Sequence, residues 1–318
     1  MALTALPPSV PPGAAARLAE DIARALSAVL PLRLTHPGGR AVDVVVPVHD
    51  AREHVLRCVA SVLRHARGRW RLVLIDDASR DRELVGWLDE IARRDRRVVL
   101  LRNGRNRGFV ASANLGLRNA TGHDVVLLNS DTEVTRGFLG RLGACAYATP
   151  DTGLVSPLTN NGTICSIPRF CEPNEIPPDL GVDELAALVR RASRRLRPEL
   201  ITAVGFCMYV RAEVIARIGF LDEESFGRGY GEENDYSLRA RAAGFRVRLC
   251  DDLFIAHAGS ASFGDSNAPG ELAGNAAMGR LHPTYHDDVQ RFIRENPLAA
   301  AREPILRALA RAGHGASP

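Results

Sequence analysis

The chain has 318 residues, a formal charge of +4 and 46% hydrophobic residues, enough to bury a good core and long for one small domain. Its 41 basic residues are all arginine, so a Schiff-base mechanism and a P-loop, which each require a lysine amine, are excluded. No GxGxxG follows the first apolar run and no GxSxG occurs, which counts against a dinucleotide oxidoreductase and leaves an α/β-hydrolase without its serine.

In chain order, Met1 to Gly13 holds two Pro-Pro pairs and few charges and reads as a mobile leader; Ala14 to Leu30 reads as an Ala- and Leu-rich helix on the outside of a domain. Val42 to Val48 is then an apolar run ending in His49-Asp50, and Asp50-Ala51-Arg52-Glu53 has the form of a capping box before Val55, Leu56, Val59, Val62 and Leu63, which share one helical face. Arg71 to Ile75 ends in Asp76-Asp77-Ala78-Ser79, and the next helix carries Leu84, Val85, Leu88 and Ile91. A short strand, Val98 to Leu101, leads through a loop rich in Asn, Arg and Gly to a helix from about Phe109 to Ala120. Val125 to Leu128 stops at Asn129-Ser130-Asp131. Continuous aliphatic runs read as strands buried on both faces, and their alternation with helices predicts a mostly parallel sheet flanked by helices. In such sheets ligands gather at the carboxyl ends of strands, where three acidic or polar clusters fall on one edge. Taken singly, each cluster is also an ordinary turn.

The order of these motifs resembles the inverting GT-A glycosyltransferases of family 2. The match runs through Val45 to Asp50, Leu74 to Ser79, Asn106-Arg107-Gly108-Phe109 with Asn114 and Gly116, and Leu127 to Thr132. It continues in Gly231-Glu232-Glu233-Asn234-Asp235-Tyr236-Ser237-Leu238-Arg239 and His257-Ala258-Gly259-Ser260, covering roughly Ala41 to Phe263. The resemblance implies a GT-A (Rossmann-like) α/β fold, with one catalytic domain over 40–265 between an N-terminal extension, 1–39, and a C-terminal helical tail, 266–318. It implies a nucleotide-sugar donor and a carbohydrate or lipid-linked acceptor, in a reaction that belongs to cell-surface polysaccharide or glycoconjugate synthesis.

In the family's terms, Asp131 and His257 hold Mn2+ or Mg2+, and Glu233 is the general base, with Glu232 and Asp235 beside it. Pro47, Val48, Asp50, Asp77, Gly108, Asn114, Asn129 and Ser130 line the donor; Asp77 reads a pyrimidine imide, which favours UDP or dTDP. Where many members carry two or three aspartates, Asn129-Ser130-Asp131 leaves one carboxylate, so the ion is expected to lean on the nucleotide's phosphates. The residues also have plainer readings. Asp76 or Asp77 caps the following helix with Ser79, and carboxylates in a helix's first turn favour the macrodipole without any catalytic role.

Six scattered cysteines without CxxC spacing read as buried thiols. With no signal peptide and no apolar span, a cytoplasmic setting is expected. Arg190 to Arg197 reads as a solvated helix face; without interleaved aromatics nucleic-acid binding has no support, while a peripheral contact with the inner membrane face stays open. In the tail, Ile305, Leu306 and Leu309 set against Arg302, Arg307 and Arg311 form an amphipathic pattern that suits the domain, a second copy in a homo-oligomer, or a membrane. Two other readings are a sugar-nucleotide nucleotidyltransferase, whose glycine-rich basic loop after the first strand is missing, and a catalytically inactive relative acting as a binding module, although Asp131, Glu233 and His257 are all retained.

Overall fold

The computed structural model describes residues 40–259 and 268–314. The expected leader and first helix, and Ser260 to Phe263 at the end of the resemblance, lie outside the described residues.

Strand β1 (Val42–Val48), helix α1 (Arg52–His65), β2 (Trp70–Asp76), α2 (Arg82–Arg94), β3 (Val98–Arg102), α3 (Phe109–Asn119) and β4 (Asp124–Leu128) follow one another as strand and crossover helix. The four strands are parallel, with β1 between β2 and β4, and β3 outside β2. Val44, Val45, Val46, Leu72, Val73, Leu74, Val125 and Val126 are fully buried, because helices cover both faces. Each such side chain contributes about 1.5–3 kcal/mol on burial. Gly116 is required by packing, since a Cβ there would lie 2.2 Å from Val45 Cγ1 as α3 crosses β1.

The second half continues with β5 (Thr132–Glu133), α4 (Phe138–Ala146), β6 (Thr152–Leu158), α5 (Val182–Ala192), β7 (Cys207–Val210), α6 (Ala212–Ile218), α7 (Glu223–Phe226), α8 (Glu232–Ala242), β8 (Arg246–Phe254) and β9 (Ala256–His257). Seven strands form one sheet in the order β3-β2-β1-β4-β7-β6-β8, in which β7 alone runs against its neighbours. Buried Asp124 secures this junction: one carboxylate oxygen accepts from the Tyr147 and Tyr209 hydroxyls, the other from the Ala212 amide. The apolar run Leu253 to Ala256 is divided between β8 and β9, and β9 leaves the main sheet to pair with β5.

Three local expectations are corrected. No capping box forms at Asp50; Ala51, left-handed at φ 53°, precedes α1, and the Asp50 carboxylate instead accepts from the Arg80 and Asp81 amides. Helix α2 is capped by Asp81, which accepts from the Glu83 and Leu84 amides, while Asp76 accepts from the Ser79 amide inside the loop. The arginine run leaves its helix at Ala192, and the chain then wraps Asp251, which accepts from the Ser193 hydroxyl and the Leu196 and Arg197 amides.

Three helices close the chain, α9 (Ala268–Leu281), α10 (Tyr285–Glu295) and α11 (Ala299–Arg311). Ile305 and Leu309 are buried within the domain, where α11 lies against α5. Arg302, expected on the outer face, is also buried: its guanidinium donates to the Ser166 and Pro168 carbonyls and lies 4.6 Å over the Phe170 ring. The tail's apolar stripe is thus spent on its own domain. No helix among the described residues is long and apolar enough to cross a membrane.

Candidate active site

The carboxyl ends of β1, β2 and β4 lie on one edge, as parallel pairing requires. At β2, Asp77 is buried and its carboxylate accepts three hydrogen bonds from the following loop: from Asn103 Nδ2 at 2.7 Å, the Arg107 amide at 2.8 Å and the Gly108 amide at 2.8 Å. The Asp77 amide donates to the Val48 carbonyl, and His49 joins Asp77 O to Asn106. Half-buried Pro47 and buried Val48 end β1 beside it. Asp50 is linked to the same loops through Ser79, Arg80 and Asp81. Gly108 has φ 86°, and a Cβ there would meet Arg228 Cα at 2.8 Å, so only glycine lets this loop lie against residue 228.

Asn114 is committed elsewhere. Its amide donates to the Leu221 carbonyl and to Glu223, and its oxygen accepts from the Leu221 amide. It anchors the segment leading into α7.

At β4, the Asn129 carbonyl accepts from the Thr132 amide and hydroxyl, a tight turn that holds Ser130 and Asp131 at the strand end. The two-stranded pairing of Thr132 with His257, reinforced by the Ala258 amide donating to the Asp131 carbonyl, then brings Asp131 and His257 face to face. His257 Nε2 lies 3.4 Å from Asp131 Oδ1. Its other nitrogen, Nδ1, bonds the Asn161 carbonyl, which requires the proton on Nδ1 and turns the Nε2 lone pair toward Asp131 in the neutral ring. Burial raises the Asp131 carboxyl, but the His257 hydrogen bond and charge outweigh it and hold the group below its ordinary value. Burial likewise lowers His257, and Asp131 together with the Asn161 carbonyl more than offsets it, leaving the imidazole raised.

The residues that support His257 carried no site signal in the sequence. Asn160 accepts from the His257 amide and donates to the His257 carbonyl, and the Phe206 ring stacks on the imidazole with centroids 5.3 Å apart. The Asn160-Asn161 pair reads in sequence as a loop, and only its fold-distant contact reveals its part. His54, from the first turn of α1, also lies within electrostatic reach of Asp131.

An ion held by Asp131 and His257 would have two protein ligands of suitable hardness, an oxygen and an imidazole nitrogen. Among the described residues no group of three or more His, Cys, Asp or Glu could hold a metal. The pair therefore fits a cation that completes its shell with phosphate oxygens and water.

The acidic cluster opens α8 after Gly231, whose φ of 95° makes the turn. Its three carboxylates diverge. Asp235 is buried in an ion pair with Arg239 at 2.7 Å and a contact with His282 at 2.9 Å. Glu232 is buried with Oε2 unpartnered, and burial, then the Glu233 charge, push it up to about 8. Glu233 is half-buried, raised by burial, and accepts from Asn234 Nδ2 at 3.2 Å. A Cβ on Gly205 would lie 3.5 Å from the Glu233 side chain. The next residue, Phe206, stacks on His257 and accepts from the Asn129 amide. One dipeptide, Gly205-Phe206, thus joins the Glu233 side to the Asp131–His257 side.

The sequence model described as "Glycosyl transferase family 2" matches residues 43–219, more than half of the chain. Among curated relatives, uncharacterized protein y4gI of Sinorhizobium fredii is 25% identical over 246 residues, 74% of this chain and 26% of that protein. O-antigen biosynthesis protein RfbC of Myxococcus xanthus is 27% identical over 249 residues, 76% of this chain and 18% of that protein. This chain spans about a quarter or less of the length of both. Among solved structures, the mannosyltransferase PcManGT of Pyrobaculum calidifontis, in complex with GDP-Man and Mn2+, superposes with a TM-score of 0.56 at 17% identity over 95% of this chain and 84% of that one. GalNAc-T7, with UDP, GalNAc and Mn2+, gives 0.56 at 17% identity over 79% and 53%. At such identities these two speak to the fold, which is the GT-A arrangement of a mostly parallel sheet between helices. With the family's sequence pattern over most of the sheet and that fold around it, the chain belongs to glycosyl transferase family 2.

Proposed function

We propose that the protein is a metal-dependent inverting glycosyltransferase, moving a sugar from a pyrimidine nucleoside-diphosphate donor, UDP or dTDP, to an acceptor hydroxyl in glycoconjugate or polysaccharide synthesis. The observation that carries this reading is the pairing of Asp131 with His257 at 3.4 Å, linked through Gly205-Phe206 to the partly buried Glu233. Asp131 and His257 would hold Mn2+ or Mg2+; bound there, the cation neutralises charge that develops on the departing diphosphate. The Mn2+ in the PcManGT and GalNAc-T7 complexes supports that assignment. Their nucleotides differ, so the base preference rests on Asp77 and its setting beside Pro47 and Val48.

Glu233 takes the acceptor's hydroxyl proton as that oxygen attacks the anomeric carbon from the face opposite the diphosphate, a single displacement that inverts the configuration. Its raised pKa brings it nearer working pH, where a base both stays ionised and accepts a proton readily. Asp235, held by Arg239 and His282, orients the helix rather than the proton. Gly108, Asn129 and Ser130 line the donor, while Asp50 and Asn114 shape its walls. The O-antigen role in the name of the Myxococcus relative supports a cell-surface product. The test is hydrolysis and transfer across a nucleotide-sugar panel with Mn2+; a nucleotidyltransferase would instead release pyrophosphate from a nucleoside triphosphate and sugar phosphate, and an inactive module would turn over none.

A further inference from the structure

A groove of about 710 Å3 lies along α8 beyond Glu233, between residues 199–201 and the start of α10. Its size is that of a site for a ligand larger than one small ring. Its walls bring together Ile201, Leu238, Arg241, His282, Tyr285 and Phe292. Two elements tie the groove to the proposed base. The segment that lines it at Ile201 continues to Gly205, against the Glu233 side chain, and the Ala203 amide donates to Ser237 on α8. Tyr285, hydrogen-bonded to Thr202, lies within electrostatic reach of Glu233. From Glu233 to Arg241 is eight residues of helix, about 12 Å at the α-helical rise, which is longer than one pyranose.

The lining chemistry narrows the occupant. Each of the three basic side chains in it already has a carboxylate partner: Arg241 with Glu199 at 2.9 Å, His282 with Asp235 at 2.9 Å, and Arg291 with Asp288. An anionic ligand would have to displace one of these carboxylates and lose its hydration as well. A neutral ligand rich in hydroxyls meets no such cost, because paired Arg and Asp groups retain donors and acceptors for hydroxyls, while Tyr285 and Phe292 offer apolar ring surface to C–H faces.

We propose that this groove binds the acceptor, and that the acceptor is a neutral glycan of two or more sugar residues whose terminal hydroxyl reaches Glu233. The inference rests on the glycosyl-transfer reading above. It makes chain length part of recognition: the terminal sugar occupies the site beside Glu233, and the preceding sugars run along α8 toward Arg241 and Arg291.

The test uses the full chain with UDP and Mn2+ on an array of neutral mono-, di- and tetrasaccharides of glucose, galactose, mannose and N-acetylglucosamine, with uronate-containing counterparts. At least one neutral tetrasaccharide should be retained about tenfold more tightly than its monosaccharide, a difference of about 1.4 kcal/mol. Phe292→Ala should bring it down to the monosaccharide level with UDP–Mn2+ affinity unchanged. Arg291→Ala, on an exposed side chain, should do the same in part and covers the case in which Phe292→Ala fails to fold. Binding independent of chain length, a preference for uronates, or no glycan binding at all while UDP–Mn2+ still binds overturns the groove and leaves glycosyl transfer standing. Loss of UDP–Mn2+ binding in the unaltered chain overturns the reading beneath it.

Discussion

Asp131 and His257 are 126 positions apart in the chain, yet they face each other at 3.4 Å because a two-stranded pairing, Thr132 with His257, sets their backbones side by side. Removing the only carboxylate of that pair takes away the charge that would attract a cation, so Asp131→Ala should abolish nucleotide-dependent Mn2+ binding by calorimetry. The variant should keep the native circular dichroism spectrum, since Asp131 is paired to no other side chain than His257 in the described site. Unchanged Mn2+–UDP affinity would remove Asp131 from the metal site.

Asn160 grips both the amide and the carbonyl of His257. Asn160→Ala therefore loosens the backbone that carries the proposed ligand His257 without touching the ion, and Mn2+ affinity should fall, by about tenfold if the imidazole is displaced as when an outer-shell partner is lost. Stability should fall as well, by about 1–3 kcal/mol for the backbone groups left unpaired. Titration of Mn2+ in the presence of UDP, alongside a denaturant melt, checks both; a melt shifted as expected with undiminished Mn2+ affinity would mean that Asn160 serves the fold alone.

If Asp77 reads a pyrimidine imide, UDP or dTDP with Mn2+ should raise the melting temperature, and GDP much less. Stabilisation follows RT ln(1 + [L]/Kd), about 2.7 kcal/mol at a hundredfold excess over Kd. The three donors already on the Asp77 carboxylate leave it lone-pair capacity for one more hydrogen bond and no freedom to turn away. A shift with GDP equal to that with UDP would be incompatible with the assignment.

Glu232 makes stability fall with rising pH. Its folded-state pKa is raised from 4.5 to about 8, so the folded chain keeps a proton that the unfolded chain releases. The contribution is complete below the unfolded value and is lost as pH rises through the folded one. Between pH 4.5 and about 8 the loss should be on the order of 1 kcal/mol per unit at most. Glu232→Gln should flatten the dependence of melting temperature on pH over that window. A slope in the variant as steep as in the parent would assign the dependence to another group, such as His257, whose raised pKa acts with the same sign.

The first half of the fold was readable because strands covered on both faces leave unbroken aliphatic runs, and the polar residues that end them, Asp77 and Asp131 among them, mark the edge where a site forms. Other parts were hidden for physical reasons. An alanine gives no sign that it will adopt φ 53°, so the cap before α1 went to Ala51 rather than Asp50. With Asp76, Asp77 and Asp81 all near the start of α2, only backbone geometry chooses Asp81. Arg302 read as an outward charge because periodicity cannot foresee two carbonyls and a ring waiting inside. Asn160, Asn161 and Phe206 act on His257 largely through backbone atoms and ring stacking, across separations that no local spacing records.

The central claim is that Glu233 is the base. Glu233→Gln keeps shape and hydrogen-bonding reach but cannot accept the proton, so UDP–Mn2+ binding should persist while transfer falls by roughly 10²–10⁴-fold. Glu232→Gln and Asp235→Asn, measured in the same assay, should lose less. Transfer by Glu233→Gln at near the parent rate, with Asp235→Asn inactive, would move the base two residues along α8; full activity in all three variants would contradict the mechanism and leave the acidic cluster as the start of a helix.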